Sequence, residues 1–143
     1  MRVMLDSNIF FSFLWSPYNP NSTIVKIVEA ALSQAYVLVI PAEMLEEMEE
    51  TLQRKDYLRN RVTKDYLRDL VAALGGIATE SPRQSEPWPE VVRDPKDDYL
   101  LAAAVHADVD VLVSGDRDLL VLAALLAKPR IMSPREFLEL IDP

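Results

Sequence analysis

Acidic residues gather in one stretch of the sequence. Asp94, Asp97 and Asp98 stand before an apolar, alanine-rich run, and Asp116 and Asp118 follow the next apolar run. Acidic side chains in a cleft usually bind a cation, and Mg²⁺ and Mn²⁺ prefer oxygen ligands while keeping several waters. The chain has no cysteine and no histidine cluster. These residue types therefore favour a hard divalent cation over zinc.

The apolar run before Asp116 indicates where that residue lies in the fold. Four of the five residues at 109–113 are apolar, and Asp110 is the exception. Such an apolar run is typical of a strand inside a parallel sheet covered by helices. Ligands of such sheets bind beyond the carboxyl ends of the strands. Asp6 follows the first strand, and Asp97 lies in the first turn of the helix before residues 109–113. We therefore expect Asp6, Asp97 and Asp116 to share a cleft, with Glu47 as a possible fourth member.

A cluster of carboxylates predicts a type of reaction as well as a bound cation. Like charges repel and shift each other's pKa, and a divalent cation relieves that cost. One or two such ions can activate a water and stabilise the charge of a phosphodiester during in-line attack. The acidic set therefore favours metal-dependent hydrolysis of a phosphodiester.

Strands and helices must alternate to bring these acids together. Strands are predicted at residues 2–5, 36–40, 77–79, 109–113 and 130–132. Helices are predicted at residues 23–33, 42–54, 63–76, 99–107 and 119–126, and from residue 133 onward. The alternation predicts a single domain, residues 1–143, folded as a three-layer α/β/α sandwich with a central parallel sheet.

Local signals set several helix ends and faces. Ser22 is a predicted N-cap, Ser133-Pro134 is predicted to open the last helix, and Gly75-Gly76 is predicted to close the helix that Thr63 caps. In the helix at 42–54, the predicted inner face consists of Leu45, Met48 and Leu52. The predicted outward residues of that helix are Glu43, Glu46, Glu49 and Glu50.

Composition limits the classes of protein. The 143 residues carry a net charge of −8, which argues against broad nucleic-acid binding through phosphate contacts alone. Bound metal ions would reverse the negative electrostatic potential at the site, so the net charge does not exclude a nucleic-acid substrate. Without cysteine, disulfides and thiol nucleophiles are excluded. We see no signal peptide and no membrane-spanning stretch, so we expect a cytoplasmic protein without membrane contact.

Four motifs, taken in order and spacing, resemble the PIN domain family, and in particular the bacterial and archaeal PIN proteins that act as toxins of toxin–antitoxin pairs. The motifs are Leu5-Asp6-Ser7-Asn8-Ile9, Leu45-Glu46-Glu47-Met48, Asp94-Pro95-Lys96-Asp97-Asp98 and Val113-Ser114-Gly115-Asp116-Arg117-Asp118-Leu119-Leu120. The likeness runs from Arg2 to about Phe137.

The resemblance implies a pocket that binds Mg²⁺ or Mn²⁺ and cuts RNA. The implied metal-binding and catalytic residues are Asp6, Glu47, Asp97 and Asp116. The implied supporting residues are Asn8, Ser114 and, as an outer ligand, Asp118. Glu46 can replace Glu47 in this assignment, and Asp98 can replace Asp97.

Simpler roles exist for each of these acids. Asp6 can cap the run that follows it, and Asp97 can interact with a helix dipole. Glu47 can lie on a solvated helix face. Asp116 and Asp118 can be turn residues around Gly115. His106, the single histidine, is expected to pack or lie at the surface.

Partners follow from the remaining patterns. The basic residues of 54–68, with Tyr57 and Tyr66, can contact RNA or form a solvated helix pair. The apolar residues at 10–15, with the helix at 23–33, can serve a homodimer or an antitoxin interface, although core packing is the expected role of Phe10 and Phe13. A basic antitoxin fits the acidic site.

Two other classes of protein are alternatives. The first is a non-catalytic PIN scaffold that docks a protein. A phosphoacceptor domain also places Asp after the first strand. The haloacid-dehalogenase type expects Asp-x-Asp where this chain has Asp6-Ser7-Asn8. The receiver type expects an acidic pair near the strand of that Asp together with a lysine late in the chain. Both types fit poorly.

Overall fold

The computed structural model describes residues 1–15, 19–54, 64–82 and 95–142, without the side chains of residues 49, 51–54, 64–67 and 95–98. The strands are β1 (Arg2–Leu5), β2 (Val37–Pro41), β3 (Thr79–Ser81), β4 (Val111–Val113) and β5 (Arg130–Met132). The helices in these ranges are α1 (Ser7–Trp15), α2 (Thr23–Leu32), α3 (Ala42–Arg54), α4 (Lys64–Ile77), α5 (Pro95–His106), α6 (Arg117–Leu120) and α7 (Pro134–Ile141).

The five strands form one parallel sheet in the order β3-β2-β1-β4-β5. β1 lies in the middle, where Val3 pairs with Leu38 of β2 on one side and with Val111 of β4 on the other. The sheet and its helices confirm the predicted α/β architecture. Leu5 pairs with Val113, so the residues that follow these two strands emerge side by side at the carboxyl edge.

The core is apolar on both faces of the sheet. Val3, Met4 and Leu5 of β1 are all buried although successive side chains of a strand point to opposite faces, as expected for a central parallel strand. Phe10 and Phe13 are buried as well, which confirms that they pack in the core. The Tyr36 hydroxyl donates to the Ile27 carbonyl at 2.8 Å, and its ring meets Phe137 edge-on with centroids 5.1 Å apart. These contacts fasten α2 and α7 to the start of β2.

Capping signals were predicted correctly at two helices. The Ser22 side chain accepts from the Val25 N–H at the start of α2. Ser133 forms a capping box with Glu136 ahead of Pro134, at 3.2 and 3.3 Å. Each pattern is local in sequence, so no distant contact was needed to predict it.

The end of α4 differs from its prediction. The helix continues through Gly75 and Gly76 to Ile77, and neither glycine has a positive φ. The Ala78 N–H donates to the Leu74 carbonyl, and Leu74 is fully buried. Packing of that turn outweighs the cost of about 1 kcal/mol that glycine adds to a helix. As a result β3 covers residues 79–81 rather than 77–79.

Two other elements are shorter than predicted. α6 ends at Leu120 instead of residue 126, and the turns that follow expose Val121 and Leu125. β4 starts at Val111 instead of residue 109. Just before it, the Asp110 carboxylate accepts from the Arg2 main-chain N–H at 2.8 Å.

Some predictions fall outside the residues described. These are the Thr63 cap, most of the basic segment at 54–68, and Asp94 of the acidic motif. None of the helices in the described ranges combines the length and apolar character that crossing a bilayer requires.

Candidate functional site

One buried serine joins two of the predicted acids. The Ser114 hydroxyl donates to Asp6 Oδ2 at 2.8 Å and accepts from the Asp116 main-chain N–H at 3.0 Å. Ser114 is fully buried, and Asp6 is 8% exposed. Both are held by the sheet, since the Asp6 N–H donates to the Val113 carbonyl at 2.9 Å. Asp6 and the chain entering Asp116 therefore have a defined position relative to each other.

The environment of Asp6 differs from that of a simple cap. α1 begins at Ser7, and the Ile9 N–H donates to the main-chain carbonyl of Asp6 at 3.0 Å. The Asp6 carboxylate instead accepts from Ser114 and, at 3.5 Å, from the Ser7 hydroxyl. Its oxygens thus lie among hydroxyls at the carboxyl edge of the sheet.

Asp116 has a local structural role. It is the N-cap of α6, and its Oδ1 accepts from the Asp118 N–H at 2.9 Å. Asp116 and Asp118 are both half-buried. Asp116 therefore does act as a turn and capping residue. Because capping engages Oδ1, a metal could share that carboxylate without displacing the cap.

α3 presents two glutamates at this edge. It starts directly after β2, and Glu43 and Glu47 are one helical turn apart, so they share a face. Both are half-buried, whereas Glu46 and Glu50 are exposed. The prediction that Glu43 points outward is wrong. The buried face of α3 is centred on Met44 and Met48, which are fully buried, whereas Leu45 is only partly buried. Glu43 lies next to this face and is therefore turned inward.

Tyr99 of α5 lies near enough to these glutamates for their charges to act on it. Its hydroxyl oxygen is buried, and burial together with the charges of Glu47, Glu43 and Asp6 raises the pKa of the Tyr99 hydroxyl above its usual range. Groups from β1, α3 and α5 thus converge at one place. Neither Tyr99 nor Glu43 was singled out from the sequence. Two signals were available: Tyr99 directly follows the acidic motif, and Glu43 precedes Glu47 by four residues.

The predicted ligand set as a whole stays a prediction. Asp97 lies in the first turn of α5, but its side chain and that of Asp98 are among those not described. Among the described side chains, no three His, Cys, Asp or Glu residues form a group ready to hold a metal ion. The donors at this edge are nevertheless carboxylate oxygens, which suit Mg²⁺ or Mn²⁺. The donor chemistry therefore fits a hard cation.

Three further residues that were singled out from the sequence lie at the protein surface. Asn8 is exposed in α1, and its supporting role stays a prediction. His106 is exposed at the end of α5, as expected for a surface histidine. In the basic segment, Arg68 is exposed, while the side chains of residues 54–67 lie outside those described.

Comparison with known protein families places this geometry in context. A family model described as "PIN domain" matches residues 2–118. The match extends from β1 into α6 and so contains every candidate site residue. A search of curated proteins finds no match for the chain.

Proposed function

The chain belongs to the PIN domain family, whose members are in general nucleases, and we propose that it is a divalent-metal-dependent endoribonuclease. The observation that carries the proposal is the Ser114 bridge, which holds Asp6 and the chain at Asp116 together at the carboxyl edge of the sheet. Half-buried Glu47 at the same edge supports it further.

The residues that would hold the ion are Asp6, Glu47, Asp97 and Asp116. The chemistry supplied by a bound Mg²⁺ or Mn²⁺ would be activation of a water and stabilisation of negative charge at the scissile phosphate. The chain itself orients the ligands: Ser114 holds one oxygen of Asp6, and the Asp118 N–H holds one oxygen of Asp116. Asn8 and Asp118 are proposed as supporting groups.

The proposed biological role is that of a toxin paired with an antitoxin, in a cytoplasmic protein that forms a homodimer. The net charge of −8 makes a basic protein partner electrostatically favourable. An arginine inserted among the site carboxylates would replace the cation and block cleavage. For the dimer, the proposed contact is the end of α1, where Trp15 is 37% exposed.

Cleavage of labelled single-stranded RNA with Mn²⁺ tests the proposal. We expect Asp6→Asn and Asp116→Asn each to lower the cleavage rate by at least ~100-fold, since even supporting residues of metal sites cost about 10–100-fold. Asn is also a good N-cap, so Asp116→Asn keeps the start of α6 intact.

Asp108→Asn is the matched control. It removes an exposed carboxylate at the opposite edge of the sheet, where Asp108 pairs with Lys128 at 2.9 Å. Asp108 has a φ of 55°, which asparagine tolerates. Its cleavage rate should equal that of the wild type. Cleavage that persists in both site variants would contradict the proposal.

A thermal melt distinguishes the rival, a PIN scaffold that docks a protein without cutting RNA. Binding of Mn²⁺ to the folded state alone raises the unfolding midpoint through linkage. We expect a rise in the wild type and a smaller one in Asp6→Asn. An unchanged wild-type midpoint at millimolar Mn²⁺ would favour the scaffold.

A further inference from the structure

We propose that residues 120–127, the docking segment, are the surface on which a basic protein segment with an apolar face binds. The docking segment follows α6 and begins two residues after Asp118. A partner bound there would place its positive charges beside the acidic edge of the candidate site. The inference rests on the proposed function for the pairing with a basic partner, but docking can be measured apart from RNA cleavage.

Apolar side chains reach the surface along the whole docking segment. Residues 119–127 contain no polar or charged side chain, and within this run Leu119 alone is buried. Val121 is 69% exposed and Leu125 is 77% exposed, the two highest values among the large apolar side chains of the described residues. Single exposed apolar residues are ordinary, whereas a contiguous apolar patch marks an interaction site.

The backbone of the docking segment forms tight turns rather than the predicted helix. α6 ends at Leu120, and two of the hydrogen bonds that follow reach back only three residues. The Leu122 N–H donates to the Leu119 carbonyl at 3.0 Å, and the Leu125 N–H donates to the Leu122 carbonyl at 2.9 Å. Such turns have poorer hydrogen-bond geometry than an α-helix, and a short helix is stable only when one of its faces is packed. A partner packed on Val121 and Leu125 would supply that contact.

Charges beside the docking segment select the kind of partner. The Val121 N–H donates to the Arg117 carbonyl at 3.0 Å, so Val121 continues the last turn of α6. Residues three apart on a helix are neighbours on its surface, which places Val121 next to Asp118. Asp116 and Asp118 outnumber Arg117 in this turn, and the chain as a whole carries a net charge of −8. The acidic surroundings of an apolar patch therefore favour a partner that is both apolar and positively charged.

A second copy of the chain and RNA fit this surface less well. In a symmetric contact the patch meets itself, so the acidic edges of two copies would lie side by side and repel. RNA binds through its phosphates, which require cations. Lys128, at the end of the docking segment, already pairs with Asp108 at 2.9 Å. A basic amphipathic protein segment therefore matches both the apolar and the charged part of the surface.

The experiment measures the binding of two labelled synthetic peptides by fluorescence anisotropy in EDTA. The basic probe is an amphipathic helix with leucines on one face and lysines on the other, and the acidic probe has glutamates in place of the lysines. We expect Val121→Gln/Leu125→Gln to bind the basic probe at least ~10-fold more weakly than the wild type does, because burial of one such side chain corresponds to about a tenfold change in affinity. Both side chains are exposed, so the urea midpoint of this variant should change little.

Two controls separate the docking segment from the rest of the surface. Val105→Gln/Leu140→Gln removes two exposed apolar side chains elsewhere and should keep the wild-type affinity for the basic probe. Asp118→Asn should weaken that affinity by about two- to fivefold, the range of an exposed charge pair. Asp108→Asn, which removes a carboxylate at the opposite edge of the sheet, should leave it unchanged.

The inference would be overturned if the wild type did not bind the basic probe, or if it bound both probes equally. Equal affinity of the wild type and Val121→Gln/Leu125→Gln would overturn it as well. A wild type that sediments as a dimer, with that variant a monomer, would assign the surface to a second copy instead. Docking by a protein that does not cut RNA with Mn²⁺ would refute the nuclease proposal alone, whereas cutting without docking would refute this inference alone.

Discussion

At the residue scale, the Ser114 hydroxyl connects two of the proposed metal ligands. It is fully buried and takes part in two hydrogen bonds, one as donor to Asp6 and one as acceptor from the Asp116 N–H. Buried polar groups are costly when a partner is removed, because water cannot replace it. The same hydroxyl therefore contributes to stability and to the geometry of the acids.

Ser114→Ala should lower the free energy of unfolding by about 1–3 kcal/mol, the usual cost of leaving a buried polar group without its partner. It should also lower RNA cleavage, because Asp6 loses the donor that orients it. Ser33→Ala is the control: its hydroxyl bonds the Ala30 carbonyl at an exposed site, so the change should stay within about 0.5 kcal/mol. If both substitutions lowered the free energy of unfolding equally, the buried Ser114 hydrogen bonds would contribute no more stability than the exposed Ser33 bond.

At the element scale, α4 contains a glycine pair that its sequence pattern places at the helix end. Both glycines are helical, lack positive φ, and have open space where a Cβ would stand. Glycine loses more backbone entropy on folding than alanine does. The helix is thus held by packing of Leu70 and Leu74 in spite of its glycines.

Gly75→Ala should therefore stabilise the protein by about 0.5–1 kcal/mol, measured by urea unfolding. The reverse change at an exposed position of the same helix, Ala72→Gly, should destabilise it by a similar amount. Had Gly75 ended the helix with a positive φ, alanine there would destabilise the protein. A destabilised Gly75→Ala would therefore contradict the observed course of α4.

At the scale of the whole molecule, the two edges of the sheet differ in their electrostatics. The carboxyl edge collects Asp6 and the α3 glutamates. At the opposite edge, Asp110 accepts from the Arg2 main-chain N–H at 2.8 Å and lies 3.7 Å from Lys128. The Arg2 hydrogen bond first, and then the Lys128 charge, hold the pKa of Asp110 below its usual value.

A lowered pKa in the folded state has a defined consequence for stability. The contribution of Asp110 is present above its unfolded pKa of about 3.9 and is lost as pH falls through the lower folded pKa. In urea unfolding, wild type should exceed Asp110→Asn in stability at neutral pH, and the difference should narrow below about pH 4. Lys128→Ala should keep most of this pH dependence, because the Arg2 hydrogen bond is the larger cause. If the free energies of unfolding of the wild type and Asp110→Asn differed by the same amount at every pH, this role of Asp110 would be contradicted.

Several elements could be predicted from sequence because their signals are local. β1 and β5 match their predicted ranges, and α2 and α7 start where Ser22 and Ser133 indicated. Apolar runs and caps depend on residues a few positions apart, so the alternation of strands and helices along the chain can be predicted from the sequence alone. The acids that follow the strands could be chosen for the same reason.

The amino-acid sequence by itself determined the alternation of strands and helices and which carboxylates end near strand termini. Only the tertiary structure decided that Ser114 bridges Asp6 to the chain at Asp116 and that Glu43 is half-buried beside Glu47. The physical reason is that burial and hydrogen bonding depend on neighbours far away in the chain. Ser114 and Asp6 are 108 residues apart, and no local pattern records which hydroxyl a carboxylate will find.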